Sequence, residues 1–169
     1  MKLRLPTLKS GINELADSIN PAELDLDSDI FRVPVIVDGT VDLDESKLDV
    51  RLHVETEGHY VCDRCAVEFD RPFSVDLRVL VLRRDPHDAD EEEAVDLLFI
   101  GTGGQMVDLS EEIADALLLD VPLQILHDSE CKGLCPVCYQ DWNEGTCEHY
   151  SQYSSGSSDN GSSGDEPND

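Results

Sequence analysis

Residues 47–57 read KLDVRLHVETE, a run in which every second side chain from Leu48 to Val54 is apolar. The alternating residues are Leu48, Val50, Leu52 and Val54. A two-residue period predicts a β-strand with one buried face. Similar β-branched runs are FRVPVIVDG (residues 31–39), FSVDLRVLVLRR (residues 73–84) and VDLLFI (residues 95–100). We therefore expect a sheet of at least four strands. Asp38-Gly39 predicts a turn between the strand that begins at Phe31 and the strand that begins at Lys47.

Two helices are predicted beside these strands. Near the N-terminus, Ile12, Leu15, Ala16 and Ile19 have the i, i+3, i+4, i+7 spacing of one helical face. The second helix lies in VDLSEEIADALLLDVP (residues 107–122), where Asp108 and Glu111 fit a capping box, Ser110 is a second possible cap and Pro122 ends the element. Its apolar stripe is Leu109, Ile113, Ala116 and Leu117. The fold class is thus α+β with a mainly antiparallel sheet. The same pattern fits a small barrel, and the sequence does not choose.

The chain of 169 residues fits one domain followed by a tail. Residues 85–93 hold six acids and a proline and predict a solvated loop, and GTGG (residues 101–104) predicts a turn. Residues 151–169 are rich in Ser and Gly and predict a disordered acidic tail. We expect the folded domain to occupy residues 1–150, with a cysteine-rich segment at residues 127–149.

The charge balance excludes broad classes of partner. The chain has 12 Lys and Arg against 38 Asp and Glu, a net charge of −26. Charge of this size repels phosphate backbones and anionic lipid, although it also fits a simple role in solubility. Aromatic residues make up 5% of the chain, which limits platforms for base stacking. No run approaches the ~20 apolar residues of a membrane span, and no signal-peptide apolar region is present, so we expect a cytoplasmic protein without a membrane partner.

Six cysteines in a reducing compartment predict metal ligands before disulfides. Cys62 and Cys65, and again Cys135 and Cys138, have the two-residue spacing that lets two thiolates reach one tetrahedral ion. This pattern predicts structural zinc, one or two ions per chain. The long gap between the two pairs is unlike a compact zinc ribbon.

The ligands can be divided in two ways. In the paired partition, one site joins Cys62 and Cys65 to His127 and Cys131, and a second site joins four nearby residues. Those four are Cys135, Cys138, Cys147 and His149. In the single-site partition, Cys62, Cys65, Cys135 and Cys138 share one ion, and Cys131 and Cys147 are bystanders. The local grouping of the paired partition requires less long-range chain closure.

Catalytic alternatives are weaker. A redox Cys-x2-Cys motif belongs at a helix start in a βαβ unit, whereas Cys62 and Cys65 lie between strands of antiparallel type. A catalytic zinc needs an open coordination position and a general base, and acids are too abundant here for one near a site to be informative. His53, His59 and His87 lack ligand spacing. We expect no enzyme activity and no catalytic residues.

The chain resembles the YceD family of large ribosomal RNA subunit accumulation proteins. Three segments carry the resemblance: VCDRCAVEFDRPF (residues 61–73), VDLSEEIADALLLDVPLQ (residues 107–124) and HDSECKGLCPVCYQDWNEGTCEH (residues 127–149). In the family's fuller form the last motif has glycine after its second cysteine and ends in Cys-x-Cys. Here Tyr139 replaces that glycine and His149 replaces the final cysteine. Some relatives lack the tail cluster, which favours two separable sites.

The resemblance implies a cytoplasmic role in accumulation of large-subunit (23S) ribosomal RNA. An acidic body suits a basic partner, so we expect a ribosomal protein or assembly factor to be bound. The alternatives are direct RNA contact by local zinc-loop residues around Lys132 and Trp142 and, more distantly, a zinc-dependent hydrolase. Trp142 is the only tryptophan and fits either base stacking or packing of the metal site.

Overall fold

The structure is a computed structural model that describes residues 1–83, 96–101 and 103–153. The strands are β1 (Lys2–Arg4), β2 (Gly11–Ile19), β3 (Val35–Leu43), β4 (Lys47–Val61), β5 (Glu68–Leu82), β6 (Asp96–Phe99) and β7 (Met106–Asp108). The helices are α1 (Ser110–Leu119) and α2 (Tyr150–Tyr153), with 3₁₀ turns at Leu5–Thr7 and Pro21–Leu24. The prediction of a mostly sheet protein with two short helices is confirmed in outline, but only α1 lies where a helix was predicted.

The chain divides into two compact units. The first, which we name the sheet unit, comprises Met1–Tyr60 and Glu68–Ile125. The second, the cysteine unit, comprises Val61–Val67 and the chain from Leu126 onward. Each unit is described separately below.

The sheet unit contains a five-stranded sheet in the order β2-β3-β4-β5-β6 and a two-stranded sheet of β1 and β7. β2, β3 and β4 are successively antiparallel, and β6 pairs with β5 in parallel. The cross-strand pairs His59–Asp70 and His53–Asp76 show that β4 and β5 run antiparallel. Within the described residues the sheet is open, with β2 and β6 at its edges, and does not close into a barrel.

Alternation along β4 builds the core. Its four alternating apolar side chains are at most 3% exposed, whereas Asp49, Arg51 and His53 lie on the opposite face. The rings of Phe31 and Phe73 join the same core with centroids 6.0 Å apart. Helix α1 and its N-cap residue bury three of the four residues of the predicted stripe, Leu109, Ile113 and Leu117, whereas Ala116 is only half-buried and Ala114 is buried instead. Ser110 N–H donates to Asp108 Oδ1 at 3.1 Å, but the N-cap residue of α1 is Leu109 and makes no side-chain cap, so the predicted capping box that begins at Asp108 and the alternative cap at Ser110 are both wrong.

The predicted N-terminal helix is wrong, because residues 11–19 form strand β2. All nine residues pair with β3, from Gly11 opposite Leu43 to Ile19 opposite Val35. Leu15 and Ile19 are four residues apart and share a face in a strand as well as in a helix, so their spacing fits both structures. The backbone ladder with β3 decides between them, and it leaves Ile12 75% exposed at the edge.

The predicted turn at Asp38-Gly39 is also wrong, because both residues lie inside β3. The chain turns instead after Leu43, where Asp44 N–H donates to Lys47 O at 2.9 Å. Glycine is needed at position 39 for another reason: a Cβ there would collide with the carbonyl oxygen of Arg51 on β4. The residue therefore permits close strand approach rather than a turn.

Other sequence expectations fall partly on described residues. Gly104 N–H donates to Gly101 O at 2.8 Å, so the predicted turn is present, with Thr102 outside the description. Helix α2 covers the beginning of the predicted tail, and residues 154–169 lie outside the described residues, as does the predicted loop at 85–93. No helix in the described ranges has the length and apolarity needed to cross a bilayer.

Candidate metal centres

Two turns of the same geometry present the Cys-x2-Cys pairs. In the first, Ala66 N–H donates to Cys62 O at 2.9 Å, and Cys62 N–H donates to Val67 O at 2.8 Å. In the second, Tyr139 N–H donates to Cys135 O at 2.9 Å, and Cys135 N–H donates to Gln140 O at 2.9 Å. The fifth residue of each turn, Ala66 or Tyr139, has a φ of 59°. Each turn therefore directs its own two thiols toward a single point.

The left-handed φ at Tyr139 explains the glycine at this place in the family motif. Glycine adopts this conformation without a Cβ penalty, whereas other L-residues pay roughly 1 kcal/mol or more. The structure keeps the turn despite Tyr139, because the flanking backbone hydrogen bonds of Cys135 are both made. The substitution therefore changes the local strain and not the path of the chain.

The structure gathers the eight predicted residues into two clusters. Cluster 1 contains Cys62, Cys65, His127 and Cys131, and cluster 2 contains Cys135, Cys138, Cys147 and His149. Within each cluster one ligand atom per residue lies within 4.8 Å of the others, so each could hold a metal ion. The two Cys-x2-Cys pairs fall in different clusters, the arrangement of the paired partition.

The distances in cluster 1 fit a tetrahedron. Cys62 Sγ lies 3.8 Å from Cys131 Sγ, and Cys65 Sγ lies 3.4 Å from His127 Nδ1. Metal–sulfur bonds of ~2.3 Å and metal–nitrogen bonds of ~2.0 Å give tetrahedral edges of about 3.8 Å and 3.5 Å. The three cysteines are buried and the histidine is exposed, so this cluster has one side facing solvent.

Cluster 2 contains a buried nitrogen that requires a partner. His149 Nδ1 is buried and, among the described residues, has no hydrogen-bond partner, although its ring lies in a cluster of three thiols. The other ring nitrogen, Nε2, lies 3.7 Å from the Glu148 carboxylate. A buried polar atom without a partner is costly, and a metal ion that receives the lone pair of Nδ1 would remove that cost.

Nitrogen donors surround the sulfur atoms. Trp142 Nε1–H donates to Cys147 Sγ, Asn143 Nδ2–H donates to Cys131 Sγ, and Val137 N–H donates to Cys135 Sγ, each at 3.4 Å. Such outer contacts orient metal ligands and stabilise their anionic form. Trp142 therefore packs against cluster 2 through its indole nitrogen, and its ring also meets Tyr150 edge-on at 5.2 Å.

Two residues that hold cluster 1 were missed by sequence reasoning. Asn143 Oδ1 accepts from Lys132 N–H at 2.8 Å while its amide contacts Cys131, so Asn143 ties two loops together. The Arg64 guanidinium donates to Cys131 O at 2.8 Å. Neither residue type is a metal ligand at this spacing, and no sequence pattern would have identified them.

The thiols of each cluster differ in acidity. Burial raises the pKa of Cys62, but hydrogen bonds from His127 and nearby backbone groups lower it overall to about 5. Burial raises the pKa of Cys65 to about 11. In cluster 2 the Trp142 indole N–H lowers the pKa of Cys147 to about 6, whereas the neighbouring thiols raise the pKa of Cys138 against the hydrogen bond from Gln140. Closely spaced thiolates repel, so full ionisation of either cluster calls for a cation.

The remaining histidines lie outside both clusters. His53 Nδ1 is 2.7 Å from Asp76 Oδ1, and His59 Nδ1 is 2.7 Å from Asp70 Oδ1, in both cases between β4 and β5. His87 lies outside the described residues.

Comparison with known proteins gives two findings. A family model described as "Large ribosomal RNA subunit accumulation protein YceD" matches residues 50–160, a range that contains all eight cluster residues. The chain is also 29% identical over 119 residues to "Uncharacterized protein YlbN" of Bacillus subtilis (strain 168). That alignment covers 69% of this chain and 66% of the relative, slightly less than two thirds of its length. No solved structure matches the chain.

Proposed function

The chain belongs to the YceD family of large ribosomal RNA subunit accumulation proteins, and we propose that it supports accumulation of 23S ribosomal RNA without being an enzyme. The family match over residues 50–160 carries this proposal. The family is described by an effect on RNA accumulation and not by a reaction. Bacterial-type ribosomes assemble in the cytoplasm, and we therefore propose that the protein acts there.

Zinc is the metal that suits both clusters. Each offers three thiolates and one imidazole, a soft donor set that favours zinc over magnesium or calcium. The unpartnered Nδ1 of His149 supports a bound ion in cluster 2. When bound, zinc cross-links the loops of the cysteine unit and supplies folding free energy directly.

The number of ligands supports a structural role. Four protein ligands fill a tetrahedral site, whereas a catalytic zinc keeps one position for water or substrate. Both clusters have four candidate ligands, and this favours a non-enzymatic factor over a zinc-dependent hydrolase.

Charge indicates the chemistry of a protein partner. The sheet unit contains 10 Lys and Arg against 28 Asp and Glu, a net charge of −18. On the outer face of its sheet, the acidic residues Asp38, Asp42 and Glu55 are exposed. Asp49 on the same face is paired with Arg51 and Arg78 and does not add to the attraction of a cationic partner. Such a face attracts a cationic protein over a long range, so the partner we propose is a basic ribosomal protein or assembly factor.

Co-purification with and without nuclease tests this function. We expect a basic ribosomal protein or assembly factor to remain bound after nuclease treatment, and we expect depletion of the protein to lower 23S ribosomal RNA relative to small-subunit RNA. Unchanged levels of both ribosomal RNAs after depletion would remove the proposed role. Association that disappears with nuclease would replace the protein partner by RNA.

A further inference from the structure

A cavity of about 490 Å³ in the cysteine unit gathers nearly all of that unit's cations and aromatic rings. Arg64 and Lys132, the unit's only basic residues apart from histidine, both line it. Trp142, Tyr150 and Tyr153 line it as well, so it contains three of the unit's four aromatic residues. In a chain of net charge −26, it is unusual for one cavity to combine two basic residues with three aromatic rings.

Both cations can meet a ligand. The backbone of Lys132 is fixed, because its N–H donates to Asn143 Oδ1 at 2.8 Å, and its side chain is exposed. Among the described residues, the structure records no ion pair or hydrogen bond of the Lys132 ammonium. Arg64 is held in place by one hydrogen bond from Nη1 to Cys131 O at 2.8 Å. Its guanidinium has five N–H donors, so others remain to bind an anion.

Two of the three rings in the aromatic wall are held by contacts within the cysteine unit. The indole of Trp142 is fixed at its nitrogen by Cys147 Sγ at 3.4 Å and at its ring by the T-shaped contact with Tyr150. Tyr153 is 50% exposed and presents ring surface to solvent. An ordered ring loses little freedom on binding, which favours stacking against a planar ligand.

We propose that this cavity binds one unpaired nucleotide of single-stranded RNA, with the base against the aromatic wall and the phosphate between Arg64 and Lys132. We assign the nucleotide to RNA, and not to another nucleotide-containing ligand, because of the proposed role in ribosomal RNA accumulation. Planar rings beside two cations match a base beside its phosphate, and the cavity volume accommodates one nucleotide. The Glu130 carboxylate, also in the lining, can accept a hydrogen bond from a 2′-hydroxyl or a base amine.

The acidity of the chain limits this site without abolishing it. Exposed charges are screened beyond about 8 Å at physiological ionic strength, so a single nucleotide is governed by the charges nearest to it. The low aromatic content of the whole chain, which argued against a stacking surface, does not apply to a cavity that collects three of its rings.

The single tryptophan of the chain provides the measurement. The full-length, metal-loaded protein is titrated with hexauridylate and hexaadenylate while the fluorescence of Trp142 is followed. We expect saturable quenching whose log K falls with log salt at a slope of about −0.7, as one neutralised phosphate would give. Lys132→Ala should weaken binding and flatten this slope, because the phosphate then keeps only Arg64. The matched control Lys47→Ala removes an exposed lysine of the sheet unit and should leave both affinity and slope unchanged.

A second pair of variants tests the ring. Tyr153→Leu should weaken binding by roughly five-fold or more, whereas Tyr139→Leu, which changes an exposed tyrosine outside the cavity, should not. Metal content is measured for each variant, so loss of the fold is separated from loss of the site. Absence of quenching by either oligonucleotide, or equal loss in the control variants, overturns the proposal.

Titration with hexaglutamate tests whether the cavity binds acidic peptides instead of RNA. If it quenches Trp142 as strongly as RNA does, the cavity is a site for acidic peptides and the nucleotide proposal is wrong. Failure here is distinct from failure of the proposed function. If depletion lowers 23S ribosomal RNA but the protein binds no oligonucleotide, the proposed function stands and this site is wrong. If the protein binds oligonucleotides but depletion leaves 23S ribosomal RNA unchanged, the site stands and the proposed function is wrong.

Discussion

Removal of one ligand from cluster 2 should separate the two metal sites. Cys147→Ala deletes one of four sulfur or nitrogen ligands in that cluster and leaves cluster 1 complete, because the clusters share no residue. We expect zinc content to fall from about two ions per chain to about one. Cys131→Ala should give the reciprocal result, with the ion of cluster 2 retained.

The effect of losing zinc on the structure around cluster 2 follows from a comparison of free energies. Structural zinc supplies roughly 10–16 kcal/mol in small zinc-binding peptides, whereas each backbone hydrogen bond contributes about 1 kcal/mol net. The loop from Cys135 to His149 has few buried apolar side chains, so it should lose its order without the ion. The sheet unit has its own core and should keep its thermal transition.

Three measurements together check this reasoning. Elemental analysis gives the number of ions, amide hydrogen exchange locates the loss of order, and X-ray absorption gives the ligands. The wild-type spectrum should fit three sulfurs and one nitrogen per zinc, with zinc–sulfur distances of ~2.3 Å. His59→Ala is the control, since His59 pairs with Asp70 in the sheet unit and lies outside both clusters.

A different result would refute the paired arrangement. One ion with four sulfur ligands in the wild type would indicate a single site of Cys62, Cys65, Cys135 and Cys138. Loss of both ions in Cys147→Ala would show that the clusters do not bind independently. Zinc content near zero in wild-type protein purified under reducing conditions would remove the metal proposal altogether.

Three further predictions concern the sheet unit and are checked by urea unfolding. Gly58→Ala should cost about 1–3 kcal/mol, because its Cβ would lie 2.6–2.9 Å from two aromatic rings, whereas Gly101→Ala has open space and should cost little. Leu117→Ala should cost about 2–5 kcal/mol and Leu119→Ala almost nothing, since they are 0% and 86% exposed. Asp49→Asn should cost about 1 kcal/mol at neutral pH. Hydrogen bonds from two arginines lower the pKa of Asp49, so that difference should be complete above about pH 4 and diminish as the pH falls further. A constant difference at all pH values would contradict the role of its charge.

Sequence periodicity predicted the elements that are buried on one face over many residues. β4 has four alternating side chains at most 3% exposed, and Ile113 and Leu117 of α1 are fully buried together with its N-cap residue Leu109, so the pattern and the packing agree. β2 lies at the sheet edge, where Ile12 is 75% exposed and only Ile19 is buried. Burial did not select its side chains strongly, and its backbone pairing with β3 is a long-range feature that a local pattern cannot show.

The metal clusters show the same limit at longer range. Two-residue spacing predicts each pair of cysteines, because a single tight turn determines that geometry. Nothing local determines that Cys62 approaches Cys131, which is 69 residues away. Arg64 and Asn143 help to bring these parts together through hydrogen bonds to Cys131, and ordinary polar residues of this kind carry no recognisable motif.

The charge of the chain adds a constraint on any RNA that the proposed cavity binds. Duplex RNA carries two closely spaced rows of phosphate, and a shape-specific contact across a groove would bring many of them against an acidic surface. A single unpaired nucleotide brings one phosphate to Arg64 and Lys132 and leaves neighbouring phosphates free to point away. Repulsion therefore increases with every additional phosphate held near the protein, while the attraction is limited to two cations. The arrangement favours flexible single strands over helices, a selectivity that arises from acidity elsewhere in the chain and not from any contact to the base.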